Sequence, residues 1–239
     1  MKVLAVSPHL DDAAFSVGAT LAALVDAGHD VTVLTVFTGS VASPTGFALA
    51  CQTDKGLGPD VDYMALRRAE DRAAQAVLGT GVLHLPLLEA PHRGYHSAAG
   101  LFAGAHPADE VWRAVREALE GHTADLWLAP QGIGAHVDHE HVVRAVAGLG
   151  RPTAWWRDAP YVLRAPQAGP SRRLPAGLTA VALRQDPERR GGACAQYASQ
   201  LGFQFGGPDR VRDVLAELHE VVSADAAALE VLGPVDRCL

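Results

Sequence analysis

The first 37 residues leave few folds open. Val3 to Val6 is a short apolar run; Ala13 to Ala27 carries Phe15, Val17, Leu21, Leu24 and Val25 at helical spacing and stops at Gly28. Val31 to Phe37 is a second apolar run, rich in β-branched residues. Strand, helix and strand in so short a length form the crossover that sets two parallel strands side by side, and parallel sheets are covered on both faces. The alternation continues. Tyr63 to Gly79 reads as an amphipathic helix, Val82 to Leu87 as a third strand, Asp109 to Gly121 as a helix, Asp125 to Ala129 as a fourth strand and Asp138 to Leu149 as its helix. Thr153 to Trp156 and Leu178 to Leu183 read as further strands, and Asp186 to Gln200 and Asp209 to Leu232 as helical. The expectation is an α/β protein, a Rossmann-like, doubly wound and mostly parallel sheet with helices on both faces, in a single domain over residues 1–239. Thr38 to Asp62 has no steady period and reads as a long functional loop lying over the site.

Charge and composition narrow the partners. The net charge is −7 with histidine neutral, and there is no run of Lys or Arg. Binding to nucleic acid or an anionic membrane therefore lacks its electrostatic basis, and a small polar or neutral ligand fits better. No window has the length of a membrane span, and the amino terminus is too polar for a secretory leader. Cys51, Cys194 and Cys238 are far apart with no C-x-x-C spacing, which reads as reduced thiols and a cytoplasmic location. No G-x-G-x-x-G or Walker loop follows the first strand, so no nucleotide cofactor is indicated.

The chemistry concentrates in two short stretches. Ser7-Pro8-His9-Leu10-Asp11-Asp12 follows the first strand, and Gly134-Ala135-His136-Val137-Asp138-His139 follows the fourth. Ligands of open α/β sheets bind outside the carboxyl ends of the strands, where both stretches fall. An Asp ahead of a helix is, taken singly, an ordinary N-cap, but capping needs one carboxylate rather than two beside a histidine. His9 and Asp12, joined by His139, form a two-nitrogen, one-oxygen set that suits a catalytic Zn²⁺ with a position left for water; Fe²⁺ would accept the same donors. Asp11, next to a ligand but pointing differently, reads as the general base. His136 and Asp138 suggest an imidazole kept protonated by a carboxylate, placed to stabilise an oxyanion or protonate a leaving amine.

These motifs resemble those of a known family. His9-Leu10-Asp11-Asp12 is similar to the His-Pro-Asp-Asp-Glu signature of the LmbE-like, or PIG-L, zinc-dependent N-acetyl-sugar deacetylases, and His136-Val137-Asp138-His139 to their downstream His-x-Asp-His motif. Arg67-Arg68-Ala69-Glu70 resembles the family's Arg-x-x-Glu helix, and Asp158-Ala159-Pro160-Tyr161 and Tyr197-Ala198-Ser199-Gln200 look like blocks of one bacterial subgroup. The resemblance implies hydrolysis of an acetamide on an amino sugar, with zinc on His9, Asp12 and His139, Asp11 as base, and His136 backed by Asp138 at the oxyanion. It also implies a substrate contact at Arg67, with Glu89 and Arg93 as further candidates of that kind. Leu10 replaces the usual Pro, Ala13 the acid after the Asp pair, and Gly134 stands where some relatives carry a tyrosine. The reading is a zinc-dependent N-deacetylase of an N-acetylated amino sugar or glycoside. Two alternatives are an amidase acting on a thiol-sugar conjugate and a catalytically silent sugar-binding protein.

Overall fold

The computed structural model describes residues 1–216 and 218–233; Cys238 lies outside them. In chain order the elements are β1 (Lys2–Ser7), α1 (Asp12–Asp26), β2 (Asp30–Thr35), α2 (Gly46–Thr53), α3 (Tyr63–Leu78) and β3 (Gly81–His84). Two 3-10 turns (Ala90–His92 and Ala99–Phe102) lead to α4 (Val111–Glu120), β4 (Leu126–Pro130), α5 (Val137–Ala147), β5 (Thr153–Trp156) and α6 (Tyr161–Arg164). The remainder is β6 (Thr179–Val181), α7 (Pro187–Cys194), α8 (Ala198–Phe205), α9 (Pro208–Ala216), β7 (Val222–Ala224) and α10 (Ala226–Leu232).

The seven strands form one sheet in the order β3-β2-β1-β4-β5-β7-β6. Pairings among β1 to β5 are parallel, and β7 runs antiparallel to both β5 and β6. The chain begins near the middle of the sheet, moves outward through β2 and β3, then returns to the other side of β1 with β4. Connections therefore leave β1 and β4 in opposite directions, which opens a crevice at their carboxyl ends, the usual ligand position of such sheets.

Strand periodicity divides the core. Val3 and Ala5 of β1 join Val31, Val33, Leu126 and Leu128 beneath α1, α3 and α7, whereas Leu4 and Val6 join Leu34, Trp127, Ala129 and Trp155 beneath α4 and α5. Both faces are covered, as the apolar runs require. No helix among the described residues is long and apolar enough to cross a membrane.

Three expectations need correction. The stretch from Thr38 to Asp62 contains α2, which buries Ala48, and Gln52 closes the following turn by donating to the carbonyls of Gly58 and Val61 at 2.5 and 3.1 Å. Asp209 to Leu232 is not continuous helix: Val222–Ala224 pairs with β5 and β6, burying Val222 and Ala224, a choice made by the sheet edge rather than by local propensity. Asp186 to Gln200 breaks between α7 and α8, where the Tyr197 hydroxyl donates to the buried Asp71 at 2.7 Å.

Candidate active site

The turn from β1 into α1 is tied by Ser7, whose hydroxyl donates to the His9 carbonyl (2.6 Å) and accepts from the Ala13 amide (3.1 Å). Asp11 occupies the N-cap position of α1 yet makes no capping bond. Asp12 is held instead, since its Oδ2 accepts from the His9 amide at 2.8 Å. After β4 the chain bends sharply, with Gly132, Gly134 and the non-glycine Ala135 all at positive φ. Such a backbone costs an L-residue on the order of 1 kcal/mol and persists where its surroundings impose it. Here the Ile133 amide is anchored on Asp158 Oδ2 (3.0 Å), and the bend delivers His136, Asp138 and His139 to the start of α5.

His9, Asp12 and His139 meet across the crevice, with ligand atoms within 4.8 Å of one another. Asp12 Oδ2 lies 3.1 Å from His9 Nδ1 and 3.2 Å from His139 Nε2. Donors on a tetrahedral ion at about 2.0–2.1 Å would stand about 3.3 Å apart, so these spacings suit zinc. The far nitrogens are engaged: His9 Nε2 meets Asp138 Oδ2 at 3.0 Å and His139 Nδ1 meets Asp158 Oδ1 at 2.7 Å. Carboxylates behind both rings turn the remaining lone pairs toward Asp12, an arrangement that orients histidine for metal. His139 Nε2 is buried and makes no hydrogen bond.

The cluster demands positive charge. Burial opposes protonation of His139, but Asp12 and Asp158 outweigh it and push the imidazole up to about 9; His9 is likewise raised against burial by Asp12 and Asp138. Asp12 is held well below the usual carboxylate range, burial notwithstanding, by His139 and His9. A divalent ion would meet the same demand without protons. His9, His136 and Asp138 form a second close group. Asp138, however, is already saturated: Oδ1 accepts from Arg93 (2.7 Å), and Oδ2 from the Ala90 amide (3.1 Å) and from His9.

Asp11 stands beside the first group, buried, with Oδ1 accepting from Arg67 Nη2 at 3.1 Å and Oδ2 without a partner. Burial pushes its carboxyl up, against the pull of the Arg67 charge and with the push of Asp12. That suits a group that must accept a proton rather than remain paired.

The expected pairing of Asp138 with His136 is not what the structure brings together. The Asp138 carboxylate turns to Arg93, Ala90 and His9, while its amide donates to His136 Nδ1 at 3.2 Å. Burial, opposed by Asp138, leaves His136 down at about 3, so the ring is neutral rather than kept protonated. With Nδ1 accepting, the proton of that neutral ring sits on Nε2.

The three expected substrate contacts, Arg67, Glu89 and Arg93, all have partners within the protein. Arg67 is 5% exposed and spans Glu89 (2.6 Å) and Asp11. Arg93 spans Asp138 and Asp109 and donates to the Leu88 carbonyl, with its guanidinium over the Phe37 ring.

Several residues with a part in the site escaped sequence reasoning. Asp158 backs His139; its only signal was the block Asp158-Ala159-Pro160-Tyr161. From that block Tyr161 sets its ring edge-on to His139 at 5.2 Å, with no hydrogen-bond partner for its hydroxyl among the described residues. A Cβ on Gly134 would come within 2.9 Å of Tyr161, so glycine there makes room for this ring. Phe102, 44% exposed, completes the wall with its ring 5.3 Å from His136.

Known proteins share this architecture. Over 170 residues the chain is 38% identical to the 2'-N-acetylparomamine deacetylase of Streptomyces fradiae, an alignment taking in 67% of this chain and 57% of that protein. The chain thus spans little more than half the length of this curated relative. It superposes on the zinc-inhibited form of the teicoplanin deacetylase Orf2 with a TM-score of 0.77 at 27% identity, covering 94% of this chain and 97% of that one. The A40926 pseudoaglycone deacetylase Dbv21 gives a TM-score of 0.71 at 32% identity, with 93% and 95% covered. Residues 4–149, which carry both motifs, match the sequence profile of the GlcNAc-PI de-N-acetylases, and the chain belongs to this PIG-L family.

Proposed function

We propose that the protein is a zinc-dependent amide hydrolase that removes the acetyl group from an N-acetylated amino sugar carried on a small glycoside, as in antibiotic assembly. The relatives named above are deacetylases of 2'-N-acetylparomamine, of teicoplanin and of the A40926 pseudoaglycone, which supports that substrate class. The observation that carries the reading is the unpartnered Asp11 Oδ2 beside a His9, Asp12 and His139 tripod whose imidazoles are each backed by a carboxylate.

Those three residues would hold the ion, which when bound polarises the amide carbonyl and makes water acidic enough to attack near neutral pH. Asp11 accepts the proton of the attacking water at Oδ2 and returns it to the departing nitrogen, while Arg67 retains Oδ1. His136, neutral with its proton on Nε2, stabilises the developing negative oxygen as a hydrogen-bond donor; it is not the acid that protonates the amine. Asp138 acts behind His9 rather than behind His136. The thiols and the acidic surface charge suit work in the cytoplasm on a polar small molecule.

Acetate release from 2'-N-acetylparomamine is the test. Activity should vanish on chelation and return with Zn²⁺, Fe²⁺ being the second ion to try. Release of a larger acid from acylated analogues, with none of acetate, would move the reading to another amidase. Absence of stoichiometric metal would sink it.

A further inference from the structure

We propose that Asp109 is a positioning residue for the metal site, fixing Arg93 so that Asp138 orients the His9 imidazole. The inference rests on the reading of His9 as a ligand. Four side chains stand in line. His9 Nε2 meets Asp138 Oδ2 at 3.0 Å, Asp138 Oδ1 accepts from Arg93 Nη2 at 2.7 Å, and the same Nη2 donates to Asp109 Oδ2 at 3.1 Å. Asp109 is the anchored end of that line. Its Oδ2 also accepts from the Tyr95 hydroxyl at 3.0 Å and meets His141 Nε2 at 3.1 Å, while Oδ1 accepts from the Val111 amide at 3.2 Å. Those partners lie in the loop after β3, on α5 and at the start of α4, so Asp109 is tied to the helix that carries His139. Its side chain is 5% exposed, and Tyr95 and His141 are buried. Arg93 therefore divides its charge between two carboxylates, one of them immobile. An undivided guanidinium would weaken Asp138 as acceptor for the His9 N–H, and a strong acceptor behind an imidazole makes that imidazole a better ligand. Place and charge act in the same direction: without Asp109, Arg93 loses its anchor and its whole charge falls on Asp138.

Loss of a partner behind a metal ligand costs about 10–100-fold in metal affinity, and one more link intervenes here, so Asp109→Asn should weaken zinc by about 10-fold in chelator competition. In an Asp138→Asn background the same change should cost nothing further, because its effect runs through Asp138. A merely structural role would lower stability in urea and leave zinc affinity at the parent's value; that result would overturn the proposal, as would losses that simply add in the double variant. With Co²⁺ in place of zinc, the visible absorption bands report ligand geometry, and those of Asp109→Asn should shift from the parent's; identical bands would also overturn it. Arg93→Lys carries the test should Asp109→Asn fail to fold. A single ammonium keeps the charge but lacks the fork that spans Asp109 and Asp138, so zinc should weaken by about the same factor, and parent affinity would count against the proposal. Retention of zinc by His9→Ala would instead remove the reading of His9 as a ligand, so the two failures are distinct.

Discussion

The starts of α1 and α5 are built alike and used differently. Each follows a buried parallel strand, each offers a histidine and then acids, and each puts an aspartate in the first helical turn. Asp12 faces the imidazoles of His9 and His139, whereas Asp138 turns away to Arg93 and the Ala90 amide and supports His9 from behind. The surroundings make the difference. Arg93 neutralises Asp138, Arg67 neutralises Asp11, and Asp12 meets only histidines among its ion-pair partners, so its charge is left for protons or a metal. Asp12 is left available as the proposed ligand because, among the described residues, no guanidinium pairs with it.

The largest way to break this comparison is to exchange the roles. His139→Ala, which removes a proposed ligand, should take bound zinc from about one equivalent to near none, whereas Asp138→Asn should weaken zinc only about 10–100-fold, as loss of an outer partner does. Chelator competition measures both; equal loss would mean that Asp138 is itself a ligand. Asp11→Asn should retain zinc and lose about 10²- to 10⁴-fold in kcat, read from acetate release alongside metal analysis. Asp158→Asn sharpens the pairing of outer carboxylates and should resemble Asp138→Asn in zinc affinity.

A pH experiment separates His139 of α5 from His136 at its N-cap. His139 is raised to about 9 from its ordinary 6.5, so the stability it contributes is full below about 6.5 and is lost as pH rises through about 9. His136, down at about 3, stays neutral throughout that window. The metal-stripped protein should therefore lose thermal stability between these pH values, and the zinc-loaded protein should not, because ligation already requires the neutral imidazole. A flat profile after stripping would show that Asp12 does not hold the His139 imidazolium. The smallest effect concerns helix starts alone. Asp62, unlike Asp11, caps its helix by accepting from the Ala65 amide at 2.9 Å, and Asp62→Ala should cost about 1 kcal/mol in urea unfolding.

Much of this was legible from local pattern. The apolar runs at Val3 to Val6, Val31 to Phe37 and Asp125 to Ala129 report burial on both faces, and burial of that kind belongs to a parallel sheet. The motifs at His9 and His136 were visible because several chemistry-bearing residues crowd into each. β7 was not legible, since three residues gain strand form only from the edge they join. The role of Asp158 was hidden for a related reason: the block Asp158-Ala159-Pro160-Tyr161 marks the residue but not its partner, His139, which lies 19 residues away in sequence. Gly134 and Tyr161 were likewise related only by space.

By itself, the sequence determined the parallel strands β1 to β5, the two strand-end motifs and the residue types able to hold a metal, because periodicity and crowding are local properties of the chain. The tertiary structure alone decided which carboxylate each charged partner claims. That put Asp138 behind His9, Arg67 on Asp11 and Asp158 behind His139, because buried charges are settled by whichever opposite charge or donor the fold brings within about 3 Å.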